Sequence, residues 1–351
     1  MGNRLDIPIL SVKSEHLIHN NIHIQNMAMQ GYRLTMEDYY SIYNDNKYLY
    51  VGVYDGHGGD CISLYLCQNF LKHISKYINK IKSNYTIKTK TEIIENAFID
   101  FDNLIQKNIL FNVTQGSTAV CVAISNKKTI ILNCGDSRAI LYNGRNVIYE
   151  TTDFKPCVPV EERRIKKSGR KITNNYRIDG EINVSRGFGD YKFKTSSNVR
   201  SHAIIAIPEI KIINNNLCKF IVLITDGITN VMENDDLCNY IEYNLQINTQ
   251  LSIITENILK YCIYKHSTDN MTISIILLYK YDFNNTLNII EANELNIIYK
   301  RVLLELKTNK NKYKTYNMFK LLSLIKTIDY DLKFSAGFRY NYIKSLYKKY
   351  A

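Results

Sequence analysis

Residues 51–59, VGVYDGHGG, place an aspartate, three glycines and a histidine directly after a short apolar run. A carboxylate at a strand end, with glycine removing side-chain bulk beside it, lets a cation and the backbone approach each other closely. His57, two residues beyond Asp55, is a candidate proton donor beside such an ion. An Asp-Gly turn with an incidental histidine is the competing reading of so short a motif. Three more aspartates sit comparably: Asp226 after the apolar run 220–225, Asp269 just before the run 273–278, and Asp136 between two strand-like runs in NCGDSR. Buried carboxylates that converge are costly unless cations lie between them, and Asp and Glu without His or Cys suit Mg²⁺ or Mn²⁺ better than zinc. Upstream, Arg33 precedes Glu37 and Asp38 in RLTMED. Beside Asp55 these would be an anion clamp, whose planar fork matches two phosphate oxygens, and further metal ligands. A weak surface ion pair is the plainer alternative.

To gather these residues, several strand ends must meet. The region 20–54 reads as hairpin material, from Ile22 and Ile24 through a polar turn to the run 48–53. Helical spacing spans 61–81, through Leu64, Phe70, Leu71, Ile74 and Ile78, and again about 91–110, neither helix carrying visible chemistry. Strands are expected at 115–124, 129–133, 139–142, 220–225 and 273–278. The segment 151–200 is polar, basic and irregular apart from a short helix around 160–167. Substrate loops sit in such segments, and a surface loop without a role fits the composition equally well.

The chain has 351 residues, a hydrophobic fraction of 45% and a formal charge of +12. That hydrophobic content supports a core and excludes wholesale disorder. The Lys, Asn, Ile and Tyr bias follows A/T-rich codons, and with no motif behind the charge no nucleic-acid partner is expected. None of the eight cysteines forms a CxxC pair, so reduced, mostly buried thiols are expected, with neither a zinc site nor disulfides. With no membrane-length apolar run and no signal-peptide core, the expectation is a cytoplasmic protein, taken as a monomer. Gly2 is a possible acylation site that would add membrane association, although Asp6 stands where the pattern places Ser or Thr.

In chain order, RLTMED, YDGHGG, GSTA, NCGDSR, SRGFGD, TDGI and DNMT resemble the metal-dependent protein Ser/Thr phosphatases of the PP2C (PPM) type, over roughly residues 20–280. The resemblance implies an α+β fold: a β-sandwich of two antiparallel sheets flanked by helices, with a two-metal centre at one end. It implies hydrolysis of phosphoserine and phosphothreonine in protein substrates, by attack of a hydroxide bridging two Mg²⁺ or Mn²⁺ ions. Asp55 would bridge both ions and the Gly56 carbonyl would bind one. Glu37, Asp226 and Asp269 would complete the second, and Asp38 would hold a metal-bound water. Arg33 would clamp the phosphate, and His57 would protonate the leaving alkoxide.

The departures are specific. Asn230 replaces a carboxylate that, with Asp136 and Asp226, would hold a third, weaker ion; a neutral amide is a poorer ligand. Phe154 stands where the family commonly has His, and His266 where it usually has Gly. The division expected is a catalytic domain at 1–283 and a basic helical extension at 284–351, the latter either packed on the domain or a solvated tail. Two other readings stay open: a catalytically silent scaffold, against which the retained ligands count, and a hydrolase of small phosphate esters.

Overall fold

The computed structural model describes residues 4–107, 114–246, 249–278 and 289–313, with single positions beyond (320, 324, 343, 346, 347, 349 and 350). Gly2 lies outside the described residues, as does most of the expected extension beyond residue 313.

The chain opens on a hairpin absent from the sequence reading. β1 (Ile9–His19) pairs with β2 (Ile22–Gly31), His19 opposite Ile22, and the intervening Asn20 and Asn21 have φ of 47° and 64°. Positive φ at both central residues marks a type I′ turn, whose twist matches the strands, and asparagine tolerates it. A second hairpin joins β3 (Asp38–Asn44) to β4 (Leu49–His57). The region 20–54 is therefore not one hairpin: β2 and β4 lie in different sheets, each beside its own antiparallel partner, and residues 32–37 cross between them.

Two helices follow, α1 (Cys61–Ile78) and α2 (Ile87–Gln106). α2 begins ahead of the expected residue 91 because Thr86 caps it, its Oγ1 accepting from the Thr89 N–H at 3.1 Å. Next come β5 (Gly116–Ser117), β6 (Ala119–Ile124), β7 (Lys128–Cys134), β8 (Arg138–Tyr142), β9 (Val147–Glu150) and the short helix α3 (Pro159–Lys167). Then follow β10 (Phe188–Gly189), β11 (Glu209–Asn214), β12 (Phe220–Ile224), α4 (Asp226–Thr229), α5 (Asn234–Gln246), α6 (Leu251–Tyr264), β13 (Met271–Leu277) and α7 (Ile289–Thr308).

One sheet has the order β1-β2-β13-β12-β8-β9 and the other β10-β5-β4-β6-β7-β11, with β3 also on β4. Pairing within both is antiparallel. Between the sheets lies an aliphatic core that includes Val51, Val53, Val122, Leu141, Ile221 and Leu223. α1 and α2 cover the outer face of the second sheet around Phe70, Phe98 and Phe101. α5 and α6 cover the outer face of the first, and there Ile298, Val302 and Leu306 of α7 are buried. Helices on both outer faces explain why β12, β13 and β6 are buried at every residue and read as continuous apolar runs. The expected α+β sandwich is the observed fold, and the packed α7 is not a solvated tail. Among the described residues no helix is long and apolar enough to cross a membrane. All eight cysteines are free, but Cys61 and Cys157 are exposed, because one opens α1 and the other lies in the loop before α3.

Candidate active site

Strand register sets one end of the sandwich apart. Asp38 lies opposite Asp55 in the β3–β4 pair, while Ile224 of β12 faces both Arg138 and Ile273. Asp136, just before β8, Asp226, just after β12, and Asp269, just before β13, therefore reach the same end as Asp38 and Asp55. Asp55, Asp136, Asp226 and Asp269 line a cavity of about 260 Å³ together with Glu37, His57 and Arg33. The irregular segment also reaches it, through Arg177, Asn183 and Val184.

The crossover 32–37 is fastened by Asn270, a residue the sequence reading passed over. Its Oδ1 accepts from the Glu37 N–H at 2.8 Å, and its Nδ2 donates to the Gln30 and Thr35 carbonyls at 2.9 and 3.0 Å. The Glu37 carbonyl accepts from Gly56 N–H at 3.2 Å and from Ser63 Oγ at 2.6 Å. A Cβ on Gly56 would strike both Ser63 Oγ and that carbonyl, so only glycine lets the crossover approach β4 here.

The carboxylates repel one another around the cavity. Burial, then the Asp38, Asp226, Asp136 and Asp269 charges, push Asp55 well above the usual carboxylate range. Burial and Asp269 push Asp38 up to about 8, against a hydrogen bond from Thr225 Oγ1 at 2.9 Å. Burial and Asp226 push Asp136 up to about 7; Lys155, with Nζ 3.6 Å from its Oδ2, works the other way. That same Oδ2 is buried without a hydrogen-bond partner. Asp226 is raised by burial and Asp269, opposed by Lys155, the Asn230 amide and Arg33. Arg33 itself donates Nη2 to Asp269 Oδ2 at 2.6 Å.

His57 gains a partner the sequence reading missed. Its Nε2 lies 2.9 Å from both carboxylate oxygens of Asp190, the last residue of SRGFGD. Burial disfavours the imidazolium, but Asp190, with Asp136 and Glu37 beyond it, outweighs this and raises the pKa. The departures also find places. Phe154 lies beneath the Arg186 guanidinium, 3.6 Å from carbon to ring centroid, and Arg186 with Arg164 encloses the buried Glu161. His266 has φ of 65°, a conformation for which glycine is the usual residue.

The donor set fits hard divalent cations. Asp38, Asp55, Asp136 and Asp226, each pushed up by burial and by neighbouring carboxylates, with Asp136 Oδ2 lacking a hydrogen-bond partner, form a concentration of carboxylates that Lys155 and Arg33 offset only in part. Among the described residues no three His, Cys, Asp or Glu side chains are drawn into a closed cage for one ion; the carboxylates stand around the cavity wall.

The fold resembles solved structures at low identity. A Toxoplasma gondii phosphatase superposes with a TM-score of 0.66 at 19% identity, over 78% of this chain and 97% of that one. A C. elegans sex determining protein gives 0.62 at 22% identity, over 75% and 66%. In sequence, human protein phosphatase 1B is 32% identical over 294 residues, 79% of this chain and 61% of that protein. Human protein phosphatase 1A is 30% identical over 292 residues, 79% and 76%. The chain thus spans 61% of the human 1B relative's length and 60% of the bovine one's. Residues 22–271 match the family profile described as protein phosphatase 2C, and with that match covering most of its length the chain belongs to the protein phosphatase 2C family.

Proposed function

We propose that the chain is a metal-dependent protein serine/threonine phosphatase acting on phosphoserine and phosphothreonine in protein substrates. The observation that carries this reading is the meeting of Asp55, Asp226, Asp269 and Glu37 around one cavity whose wall also bears Arg33 and His57. Two Mg²⁺ or Mn²⁺ ions would be held by Asp55, the Gly56 carbonyl, Glu37, Asp226 and Asp269, with Asp38 behind Asp55. Bound there, such cations offset phosphoryl charge and make a coordinated water acidic near neutral pH.

The chain's own groups do the rest. Arg33, half exposed at the cavity rim, presents its fork to the phosphate. Water attacks phosphorus and gives up a proton to solvent, the bond to the seryl or threonyl oxygen breaks, and that oxygen takes a proton from His57, which recovers one from solvent. With Nε2 engaged by Asp190, the ring is fixed in orientation and its protonated form is favoured. Arg177, Asn183 and Val184 line the same cavity, so the irregular segment would lie against a bound substrate. Catalytic work is assigned to residues 1–283, with 284–351 as a helical extension.

The reading is tested by phosphate release from a phosphothreonine peptide beside a nucleotide and a sugar phosphate, with Mn²⁺ or Mg²⁺ and then with chelator. Metal-dependent release from the peptide supports it. Turnover confined to the small esters would replace the substrate class.

A further inference from the structure

One buried ion pair lies outside the cavity yet fixes the loop that carries Asp190. Lys194 and Asp102 are joined at 2.7 Å, with the lysine side chain 2% and the aspartate side chain 11% exposed. A pair so deeply buried adds little net stability over an apolar packing of the same volume, so its presence calls for another explanation.

Its remaining hydrogen bonds supply one. Asp102 Oδ1 accepts from the Gly189 N–H at 2.9 Å, and the Asp102 carbonyl accepts from the Tyr191 hydroxyl at 2.8 Å. Lys194 Nζ also donates to the Gly187 carbonyl at 2.9 Å. The pair thus grips the backbone just ahead of Asp190, at Gly187 and Gly189, while the Tyr191 side chain ties the following residue to Asp102; the N–H of Asp190 itself donates to the Gln115 carbonyl at 2.8 Å. Phe188, fully buried against Phe70 and Phe98, anchors the same turn. Asp190 needs holding: its φ of 54° is left-handed, a conformation that strains a non-glycine residue. Held so, it meets His57 Nε2 with both oxygens.

We infer that Asp102 and Lys194 are positioning residues for proton delivery: through the backbone of 187–191 they set Asp190, and through Asp190 the imidazole of His57. The inference rests on His57 being the proton donor of the proposed reaction. Neither residue touches substrate.

The test uses the leaving group. A threonyl alkoxide needs a proton to depart, whereas nitrophenolate, a far weaker base, leaves without one. Removing both charges and the Gly189 acceptor together, as Asp102→Leu/Lys194→Met, releases the grip without stranding one charge in the interior. The full chain with Mn²⁺ is assayed on a phosphothreonine peptide and on p-nitrophenyl phosphate, as wild type, double variant, His57→Gln and the triple combination. We expect the double variant to lose roughly 10-fold in kcat on the peptide, within the range general acids contribute, and less than about 2-fold on the aryl ester. It should add nothing to His57→Gln in the triple variant, because residues acting as a unit are not additive. Equal losses on both substrates would make the pair merely structural and overturn the inference, as would full peptide activity in a folded double variant. If His57→Gln itself shows no selective loss on the peptide, the proton-donor reading falls and takes this inference with it. A double variant whose urea midpoint shows it unfolded is replaced by Tyr191→Phe, which removes the Tyr191 hydroxyl's two hydrogen bonds to Asp102 and should show the same selectivity at smaller size.

Discussion

Thr225 donates its hydroxyl to Asp38 Oδ2 at 2.9 Å and accepts from the Thr272 N–H at 3.0 Å. Asp38 belongs to one sheet and Thr225, at the end of β12, to the other, so this single hydroxyl ties the two sheets together beside the cavity. Thr225→Val keeps the shape and removes both hydrogen bonds. The cost expected is about 1–3 kcal/mol, because a buried carboxylate oxygen and a buried N–H each lose a partner. Urea unfolding at equilibrium measures it, and an unchanged midpoint would show that the bridge carries no stability.

Acid–base linkage follows from the raised carboxylates. Asp38 is held up to about 8 by burial and the Asp269 charge, and Asp136 up to about 7 by burial and Asp226. In the unfolded chain both titrate near 3.8, so between roughly pH 4 and 8 the folded state binds more protons. Chelator-treated protein should therefore be most stable below pH 4 as far as these groups are concerned, and lose that stability as pH rises through 7 to 8. Mn²⁺ should flatten the slope and raise the thermal midpoint, since a ligand of the native state alone stabilises it. Thermal midpoints across pH, with and without Mn²⁺, check both points. A chelated protein that gains stability from pH 5 to 8 would contradict them.

Glu161 has the opposite sign. Burial works to raise its pKa, but Arg186 and Arg164 outweigh this and hold it below 4.5. Its contribution is present above that value and lost as pH falls through the lower folded pKa. Glu161→Gln should destabilise the fold at neutral pH, leaving two largely buried guanidiniums short of a partner, and should weaken the acid limb of the stability profile. Urea midpoints at pH 7 and pH 3 measure the difference. A pH 7 midpoint equal to wild type would remove the network from the account.

His266 closes α6 in a Schellman arrangement: its N–H donates to the Ile263 carbonyl at 3.0 Å and the Ser267 N–H to the Cys262 carbonyl at 2.9 Å. His266→Gly should stabilise the protein by about 1 kcal/mol, the order of the left-handed penalty it relieves. Chemical denaturation reads this directly, and destabilisation would mean that the imidazole makes a contact worth more than the strain.

Asn230 hydrogen-bonds Asp226 where the family resemblance leads one to expect a carboxylate. Asn230→Asp should add one weak equivalent of Mn²⁺ in a binding titration, because an anionic ligand replaces a neutral one next to Asp226 and Asp136. An unchanged stoichiometry and unchanged metal dependence of turnover would discard the third site.

Much of this end of the sandwich was legible in the sequence. Asp55, Asp226 and Asp269 each abut an apolar run long enough to be a buried strand, and antiparallel pairing brings such ends together. What the sequence hid were residues whose importance is a matter of pairing across distance. Asp190 is 133 positions from His57, and Thr225 is 187 from Asp38. Nothing local in SRGFGD or LITDG announces either contact. The division of β2 and β4 between two sheets was hidden for a different reason: their apolar patterns fit either sheet, and the deciding signal was the Asn20-Asn21 turn that gives β2 its own partner. Lys155 was passed over as one cation in a basic segment, although it is the lysine that faces Asp136.

The most direct measurement is phosphate release from a phosphothreonine peptide by wild type and Asp55→Asn, across a Mn²⁺ titration and with chelator. Asp55 lies at the centre of the mutually repelling carboxylates, so its neutral isostere should abolish release at every metal concentration while the protein stays folded. Release by wild type that chelator leaves intact, or that Asp55→Asn retains, would contradict the account.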